Sequence, residues 1–300
     1  MRTVLHRLHL RPCRRIGALW ACAAVALGLA WSALPHRAAA QPDVTKLHAI
    51  YKIHFGGMDL GKFKAWVNFK GDRYSIESKT NLELGFIIRG LFFKLDGTAS
   101  SSGTLNSDFV RPAAYSLYFK TKQGSGRLKM DFDGNVVSQV MTQPPMRPNP
   151  NSIEVTKRDV TDVLDPLSAV FVPASSKRGG LDTGVCRQQI AIFDGKHRFN
   201  LTLSHKKTVR VQKMGRRGYA GPALVCRVMY SPVSGHRPDN DGLEFMRRNR
   251  DIEAWFIPVP GTHVYVPYHV SMPTPYGLAT ATSTVFEVNV PGRNKMALVR

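Results

Sequence analysis

The chain has 300 residues, and its 42 Lys and Arg side chains against 21 Asp and Glu give a formal net charge of +21 at pH 7. This excess predicts attraction to anionic partners such as lipopolysaccharide, phospholipid head groups, acidic glycans or nucleic acid, unless it serves only to keep the protein soluble. The length suffices for one substantial hydrophobic core, or for two halves joined near residue 145, and no internal repeat indicates a repeat architecture.

Residues 1–40 have the pattern of a secretory signal peptide. Arginines precede an apolar run at 16–34, and residues 38–40 are alanines suited to cleavage before Gln41. We therefore expect a periplasmic protein with a cleaved leader. An inner-membrane anchor is the alternative, because about 20 apolar residues span a bilayer. Removal of the leader leaves 36 Lys and Arg against 21 acids, a net charge of +15, and export argues against nucleic acid as the partner.

Only two cysteines follow the leader, Cys186 and Cys226. An even pair in an exported chain predicts one disulfide, since the compartment is oxidising. The alternative is a redox pair, but the Cys-x-x-Cys spacing of such pairs is missing.

The first half of the mature chain alternates apolar and polar residues with a period of two, which predicts antiparallel strands. Gly71-Asp72 and Asp133-Gly134 are turn pairs between such segments. The predicted strands are residues 47–55, 62–70, 74–84, 94–105, 113–122, 127–132 and 136–142.

The period of two is interrupted at residues 84–93, where apolar residues are consecutive and glycines punctuate them. This run is either a connection folded over the core or an exposed apolar lip that contacts lipid. The lipid-contact interpretation makes binding residues of Phe86, Ile87, Ile88, Leu91, Phe92 and Phe93.

Residues 165–171 are the best candidate for a buried helix. Asp165 is suited to the helix N-cap and Pro166 to the first helical position, where no N–H is missed. Leu167 and Phe171 fall on one face together with Val170, and Ser168 lies beside Asp165. We expect a short structural helix around which the strands wrap.

A second series of strands follows the helix. The predicted disulfide ties the first of these strands to the fourth, residues 231–243 form a long loop, and the basic tail at 291–300 is predicted to be disordered. The strands of this series are residues 187–193, 196–203, 208–212, 223–230, 252–257, 263–272 and 279–288.

Cations cluster in two regions of the second half. If these regions meet at one rim, they bind phosphate or glycan anions with salt-sensitive affinity, and otherwise they are solvated loop charges. The candidate binding residues are Lys206, Lys207, Arg210, Arg216, Arg217, Arg247 and Arg248.

Motifs for catalysis or for metal binding do not emerge. His48 and His54 share a strand face, as do His263 and His269, but no adjacent acid completes a ligand set. Gly-x-Ser-x-Gly and phosphate loops are absent. The acids Asp159, Asp162 and Asp165 recur every three residues, and N-terminal turn acids are a simpler account than an acid pair. We expect no catalytic residue, no metal and no cofactor.

Four segments resemble a known family. They are residues 51–57 with Gly61, residues 162–169, residues 254–256, and residues 265–270 followed by 273–277. In order and spacing the set resembles the bacterial "domain of unknown function 3108" group of exported proteins. The resemblance implies an envelope protein of Gram-negative type whose curved sheet or spiral barrel holds a helix, an architecture similar to periplasmic envelope-integrity proteins. It carries no catalytic residue over to this chain.

The sequence therefore predicts an all-β protein with a single domain at residues 41–290. We expect a large curved antiparallel sheet that forms an open or spiral β-barrel around one short internal α-helix. The expected function is non-enzymatic support of envelope integrity, by binding a lipid, lipopolysaccharide or glycan. The alternatives are a scaffold that binds another envelope protein through a strand edge, and a hydrolase of cell-wall glycan.

Overall fold

A computed structural model describes residues 43–84, 93–147, 149–175 and 181–292, all of which lie in one compact unit, Gln41–Arg300. The side chains of Leu84 and Phe93 are not described. The predicted leader, residues 85–92 of the predicted lip and most of the basic tail lie outside the described residues. Predictions that concern them stay predictions.

Fourteen strands make up most of the described chain, and their alternating burial follows the period of two seen in the sequence. They are β1 (Val44–Phe55), β2 (Met58–Lys70), β3 (Arg73–Leu84), β4 (Phe93–Leu105), β5 (Val110–Thr121), β6 (Gly124–Asp133), β7 (Val136–Gln143), β8 (Val172–Pro173), β9 (Gln189–Phe193), β10 (Arg198–Val211), β11 (Gly221–Ser234), β12 (Glu253–Pro258), β13 (Val264–Thr274) and β14 (Gly277–Asn289).

The strands form one antiparallel sheet from two meanders, β1–β7 and β9–β14. Within each meander consecutive strands pair, and β1 pairs with β14 to join the two. The all-β prediction and the large antiparallel sheet are confirmed. The predicted strands 196–203 and 208–212 are one strand, β10, because a bulge between His205 and Lys207 interrupts the alternation without ending the pairing.

The sheet is not closed into a barrel, since β7 and β9 stand at its two ends and do not pair with each other. One segment lies against both ends. Thr161 bridges Val136 of β7, and Leu164 donates to Ala191 O of β9 at 2.8 Å. Asp162 takes a left-handed backbone conformation between these contacts, with φ 52°. The open form of the predicted architecture is thus the one observed.

The interior holds a large apolar cluster to which both meanders contribute. Phe171 lies within it, and its ring meets the rings of Phe69 and Tyr74 edge-on, with centroids 5.6 and 5.2 Å apart. A second cluster lies mainly on strands of the C-terminal meander and includes Cys186, Cys226 and Val185. Strands such as β11 therefore supply buried residues to both clusters.

The predicted helix at residues 165–171 is buried as expected, but its helical part is only a 3-10 turn, Ser168–Val170. Asp165 caps the chain just ahead of this turn, whose own N-cap position is Leu167. The Oδ1 atom of Asp165 accepts from the backbone N–H groups of Leu167 and Ser168 at 2.9 and 3.0 Å. The turn ends at Phe171, whose backbone is extended. Pro173 explains this end, because a residue before proline disfavours the helical region and because Val172–Pro173 pairs with β13.

One short α-helix is present in the described residues, α1 (Asp241–Arg248), and it begins within residues 231–243, which we predicted to be a loop. The Asn240 side chain caps it by accepting from Leu243 N at 2.9 Å. Acids fill its first turn, and Arg247 and Arg248 fill its last turn, as the helix dipole favours. No helix among the described residues has the length and apolarity needed to cross a membrane.

The predicted disulfide is formed between Cys186 and Cys226. Cys186 lies in a 3-10 turn, Thr183–Arg187, ahead of β9, and Cys226 lies in β11. The bridge therefore ties the turn before the series to its third strand, and not the first strand to the fourth. Cys226 lies on the third strand because two predicted strands merge into β10, and Cys186 lies outside the first strand because β9 begins only at Gln189.

Candidate functional site: the seam cleft

An open cleft of about 490 Å³ lies where the two meanders join. Strands β1, β2 and β14 contribute to it, and residues 216–219 of the loop between β10 and β11 form another wall. We call this site the seam cleft. Its position follows from the pairing of β1 with β14, which no local sequence pattern predicts.

An aromatic pair stands on the outer face of the sheet at the cleft. His48 and Trp66 pair across β1 and β2, and their rings are stacked with centroids 5.5 Å apart and planes 9° apart. The Trp66 side chain is exposed at 41 %, which is a large exposed fraction for an indole. An exposed flat aromatic face of this kind is typical of binding surfaces.

Three cations border the same cleft: Lys46 from β1, and Arg216 and Arg217 from the loop. Glu287 of β14 is the one carboxylate among the described lining residues, and its Oε2 lies 3.5 Å from Arg217 Nη1 and 3.4 Å from His48 Nδ1. Lys46 and Arg216 form no ion pair with the described part of the chain. The cleft therefore presents net positive charge beside an aromatic surface.

The loop that carries the arginines is anchored to the core. Tyr219 is buried against the rings of Tyr268 and Phe286. Burial raises the pKa of the Tyr219 hydroxyl, so this group stays protonated and donates to Pro222 O at 2.7 Å. Phe286 N also donates to Arg217 O at 2.8 Å. These contacts fix the backbone of the loop while both guanidinium groups remain exposed.

Of the cations predicted to bind ligand, only Arg216 and Arg217 line the seam cleft. Lys206 pairs with Glu253 of β12, and this hydrogen bond lowers the pKa of the Glu253 carboxyl. Lys207 and Arg210 are exposed on β10. Arg247 and Arg248 both pair with Glu244 on α1, where the hydrogen bond from Arg247 lowers the pKa of Glu244 to about 2.

The apolar lip predicted at residues 84–93 lies almost wholly outside the described residues. Phe86, Ile87, Ile88, Leu91 and Phe92 lie outside the described residues, and Phe93 begins β4 with its side chain not described. The lipid-contact interpretation of this segment stays a prediction.

Sequence reasoning did not select Lys46, His48, Trp66 and Glu287 as a group. The alternation within residues 62–70 indicates only that Trp66 points away from the apolar side chains of its strand. What the sequence could not supply was the register, because His48 meets Trp66 on one side and Glu287, 239 residues away, on the other.

The second polar cluster of interest is buried. Asp165 and Ser168 are fully buried, and both Ser101 and Tyr74 hydrogen-bond into the group, with Tyr74 OH 2.6 Å from Ser168 Oγ. Ser101 Oγ donates to Asp165 Oδ2 at 2.9 Å, and Ser168 Oγ donates to the same oxygen. Together with the two backbone donors, these bonds occupy all the acceptor positions of a carboxylate. The group holds the turn in the core.

The acids spaced three apart do not share a site. Asp159 accepts from Thr156, Asp162 accepts from Asn135, and Asp165 lies in the core. The described residues contain no group of three or more side chains arranged to hold a metal ion. His269 instead bonds Thr282 at 2.7 Å, and burial lowers its pKa.

The fold and the cleft define an all-β protein with one open antiparallel sheet, an internal capped turn and a basic outer cleft. A family model described as "Protein of unknown function (DUF3108)" matches residues 50–284, and the chain belongs to this family, which confirms the resemblance seen in the sequence. Neither the comparison with curated proteins nor that with solved structures finds a match.

Proposed function

We propose that this protein is a non-enzymatic component of the bacterial cell envelope that binds an amphipathic anionic molecule in the seam cleft. The observation that carries the proposal is the exposed indole of Trp66 beside Lys46, Arg216 and Arg217 in one open cleft. An apolar surface and several cations together suit a ligand that joins a phosphate or carboxylate to an apolar or sugar part.

The electrostatic part of the proposal rests on charges that have few internal partners. Among the cleft cations, only Arg217 has a carboxylate within ion-pair distance in the described structure, and it shares Glu287 with His48. Exposed cations of this kind attract anions at low ionic strength and lose that attraction as salt screens them. We therefore expect binding that weakens as salt is added.

The compartment is also a proposal. The Cys186–Cys226 disulfide supports export, since such bridges persist in oxidising compartments. The leader pattern at residues 1–40 points the same way. A periplasmic location would place the cleft among phospholipid head groups, lipopolysaccharide and cell-wall glycan.

The proposal is tested by calorimetric titration with dihexanoyl phosphatidylglycerol and, as the matched neutral ligand, dihexanoyl phosphatidylcholine, both as monomers at low salt. We expect the anionic lipid to bind at least tenfold more tightly. The double variant R216E/R217E should lose this preference. The variant R187E/K207E, which reverses two exposed charges outside the cleft, should keep it. Equal affinity of the protein for both lipids would refute the proposal.

A second candidate function, a scaffold for another envelope protein, is favoured by the outer edge of β7. This strand ends the sheet, and beyond the bridge from Val136 to Thr161 no described strand covers its free side. Val140 and Met141 are exposed there at 39 % and 44 %. A photo-crosslinker at Met141 would trap a strand-adding partner in cells, and one at the exposed Tyr276 turn would serve as control.

A further inference from the structure

A row of outward-facing side chains leads from the seam cleft across strands β1 to β6 of the first meander. The pairing register places one residue of each strand in this row, since directly paired residues share a face of the sheet. Strand by strand from β1 to β6, the row contains His48, Trp66, Glu77, Ser100, Ser116 and Lys129.

A second open trough, of about 480 Å³, follows this row on the far side of Trp66. Trp66 lines both the trough and the seam cleft, so the two form neighbouring parts of one surface. The Trp66 ring is stacked on His48, which belongs to the cleft but not to the trough. The ring thus stands at the boundary between the two.

The trough continues the positive charge of the cleft. Lys79, Arg127 and Lys129 line it, and Glu77 is the only carboxylate among its described lining residues. None of these three cations pairs with an acid in the described part of the chain. The Cζ atom of Arg127 lies 5.5 Å from the centroid of the Tyr118 ring. This contact uses the face of the guanidinium group and leaves the N–H groups at its edge available to a ligand.

We propose that a chain of an anionic polysaccharide lies along this row, with one end in the seam cleft and its sugar rings passing over Trp66 into the trough. This inference deepens the proposed function and rests on it. Six inter-strand steps separate β14 from β6, and at about 4.8 Å each they give a track of about 29 Å. If each sugar unit of an extended glycan advances by about one such step, about six units fill the track.

The polar groups of the row favour a glycan over other anions. Ser100 and Ser116 share one hydrogen bond of 2.9 Å, so one hydroxyl proton remains to be donated outward. The carboxylate of Glu77 can accept hydrogen bonds from sugar hydroxyls, and the phosphodiester backbone of DNA offers no such donors. The flat face of Trp66 packs against the C–H face of a sugar ring.

The test uses galacturonate oligomers of two, six and ten units, titrated into the purified protein at constant low salt. We expect affinity to rise at least tenfold from the dimer to the hexamer and to gain little beyond it. The variant K79E/K129E should bind the dimer normally and lose the gain of the hexamer. W66A should also lower the affinity for the hexamer, and R187E/K207E should change the affinity for neither the dimer nor the hexamer.

The outcomes separate this inference from the proposed function. If phosphatidylglycerol and the dimer bind in the cleft but the hexamer binds no more tightly, the track is refuted and the cleft stands. If neither binds, the proposed function fails and the track with it. A hexamer that K79E/K129E binds as well as the unmodified protein does would place the glycan elsewhere. Equal binding of single-stranded DNA of similar length would refute selectivity for glycans.

Discussion

Ser101 of β4 donates a hydrogen bond of 2.9 Å to the carboxylate of Asp165, 64 residues later in the chain. Both side chains are buried, at 3 % and 0 % exposure. The bond fastens the capped turn that precedes Phe171 to the inner face of the first meander. The internal turn is therefore held by polar contacts as well as by the apolar packing of Phe171.

Replacing Asp165 should test this arrangement. In D165A the turn loses its cap, and the hydroxyls of Ser101 and Ser168 lose their acceptor, so we expect a loss of about 3 kcal/mol in the free energy of unfolding. D165N retains an acceptor oxygen and should lose less. Urea unfolding measures both, with D251A at an exposed acid as the control. A loss in D165A no larger than in D251A would contradict the account.

The stability contributed by Asp165 should depend on pH. Burial raises the pKa of this carboxyl, although the hydrogen bonds from Ser168, Ser101 and Leu167 oppose the shift. A raised pKa means that the folded state holds the proton more tightly than the unfolded state does. The contribution is therefore fully present below the unfolded pKa of about 4 and is lost as pH rises through the folded value.

The neutral variant D165N isolates this effect, because it has every other acidic residue in common with the unmodified protein. We expect the stability advantage of the unmodified protein over D165N to be larger at pH 4 than at pH 7, with unfolding in urea as the measurement. An advantage that does not change with pH would show that Asp165 keeps its ordinary pKa in the folded protein.

The disulfide should stabilise the fold chiefly by restricting the unfolded chain. Its cysteines are 40 residues apart, and in the chain-entropy model a loop of this length contributes about 4 kcal/mol. The double variant C186A/C226A should therefore melt roughly 8–16 °C lower. Reductant should lower the Tm of the unmodified protein and leave that of the variant unchanged. A variant that melts at the original temperature would contradict the prediction.

The contact that spans the open ends of the sheet depends on Asp162. Asn135 Nδ2 donates to its carboxylate at 2.7 Å, and Asp162 N donates to Asn135 O at 2.7 Å. D162A keeps the unfavourable left-handed φ and loses the side-chain bond, so we expect a loss of about 1–2 kcal/mol. D162G relieves the backbone strain and should lose less. A larger loss in D162G than in D162A, by urea unfolding, would contradict this reading.

Much of the fold was predictable because short segments of the sequence carry recognisable signals for strands, turns and caps. Alternation fixed the strands, Asp133-Gly134 marked a turn, and Asp165 with Pro166 marked the cap. The length of the internal helix was not predictable. It ends before Phe171 because the next two residues, Val172 and Pro173, pair with β13, and this pairing between distant segments has no local sequence signal. Helix α1 was not predicted, because Pro238 and Gly242 are residues that favour a loop. Its sequence signals were present, since Asn240 is the N-cap residue and Glu244 is an acid in the first turn.

The candidate site was far less predictable. Arg216 and Arg217 were selected for their charge, but Lys46, Trp66 and Glu287 join them only through the pairing of β1 with β2 and β14. Such contacts between distant strands depend on the register of the whole sheet. No short segment of sequence encodes them.

The most direct test of the account is the fluorescence of Trp66 during titration with dihexanoyl phosphatidylglycerol. In a W255F variant, Trp66 is the only tryptophan after residue 40, so the fluorescence of protein without residues 1–40 reports on the surface around Trp66. We predict a saturable change that added salt weakens and that R216E/R217E abolishes. An unchanged spectrum, or one that responds equally with and without the two arginines, would contradict the assignment of the seam cleft as the binding site.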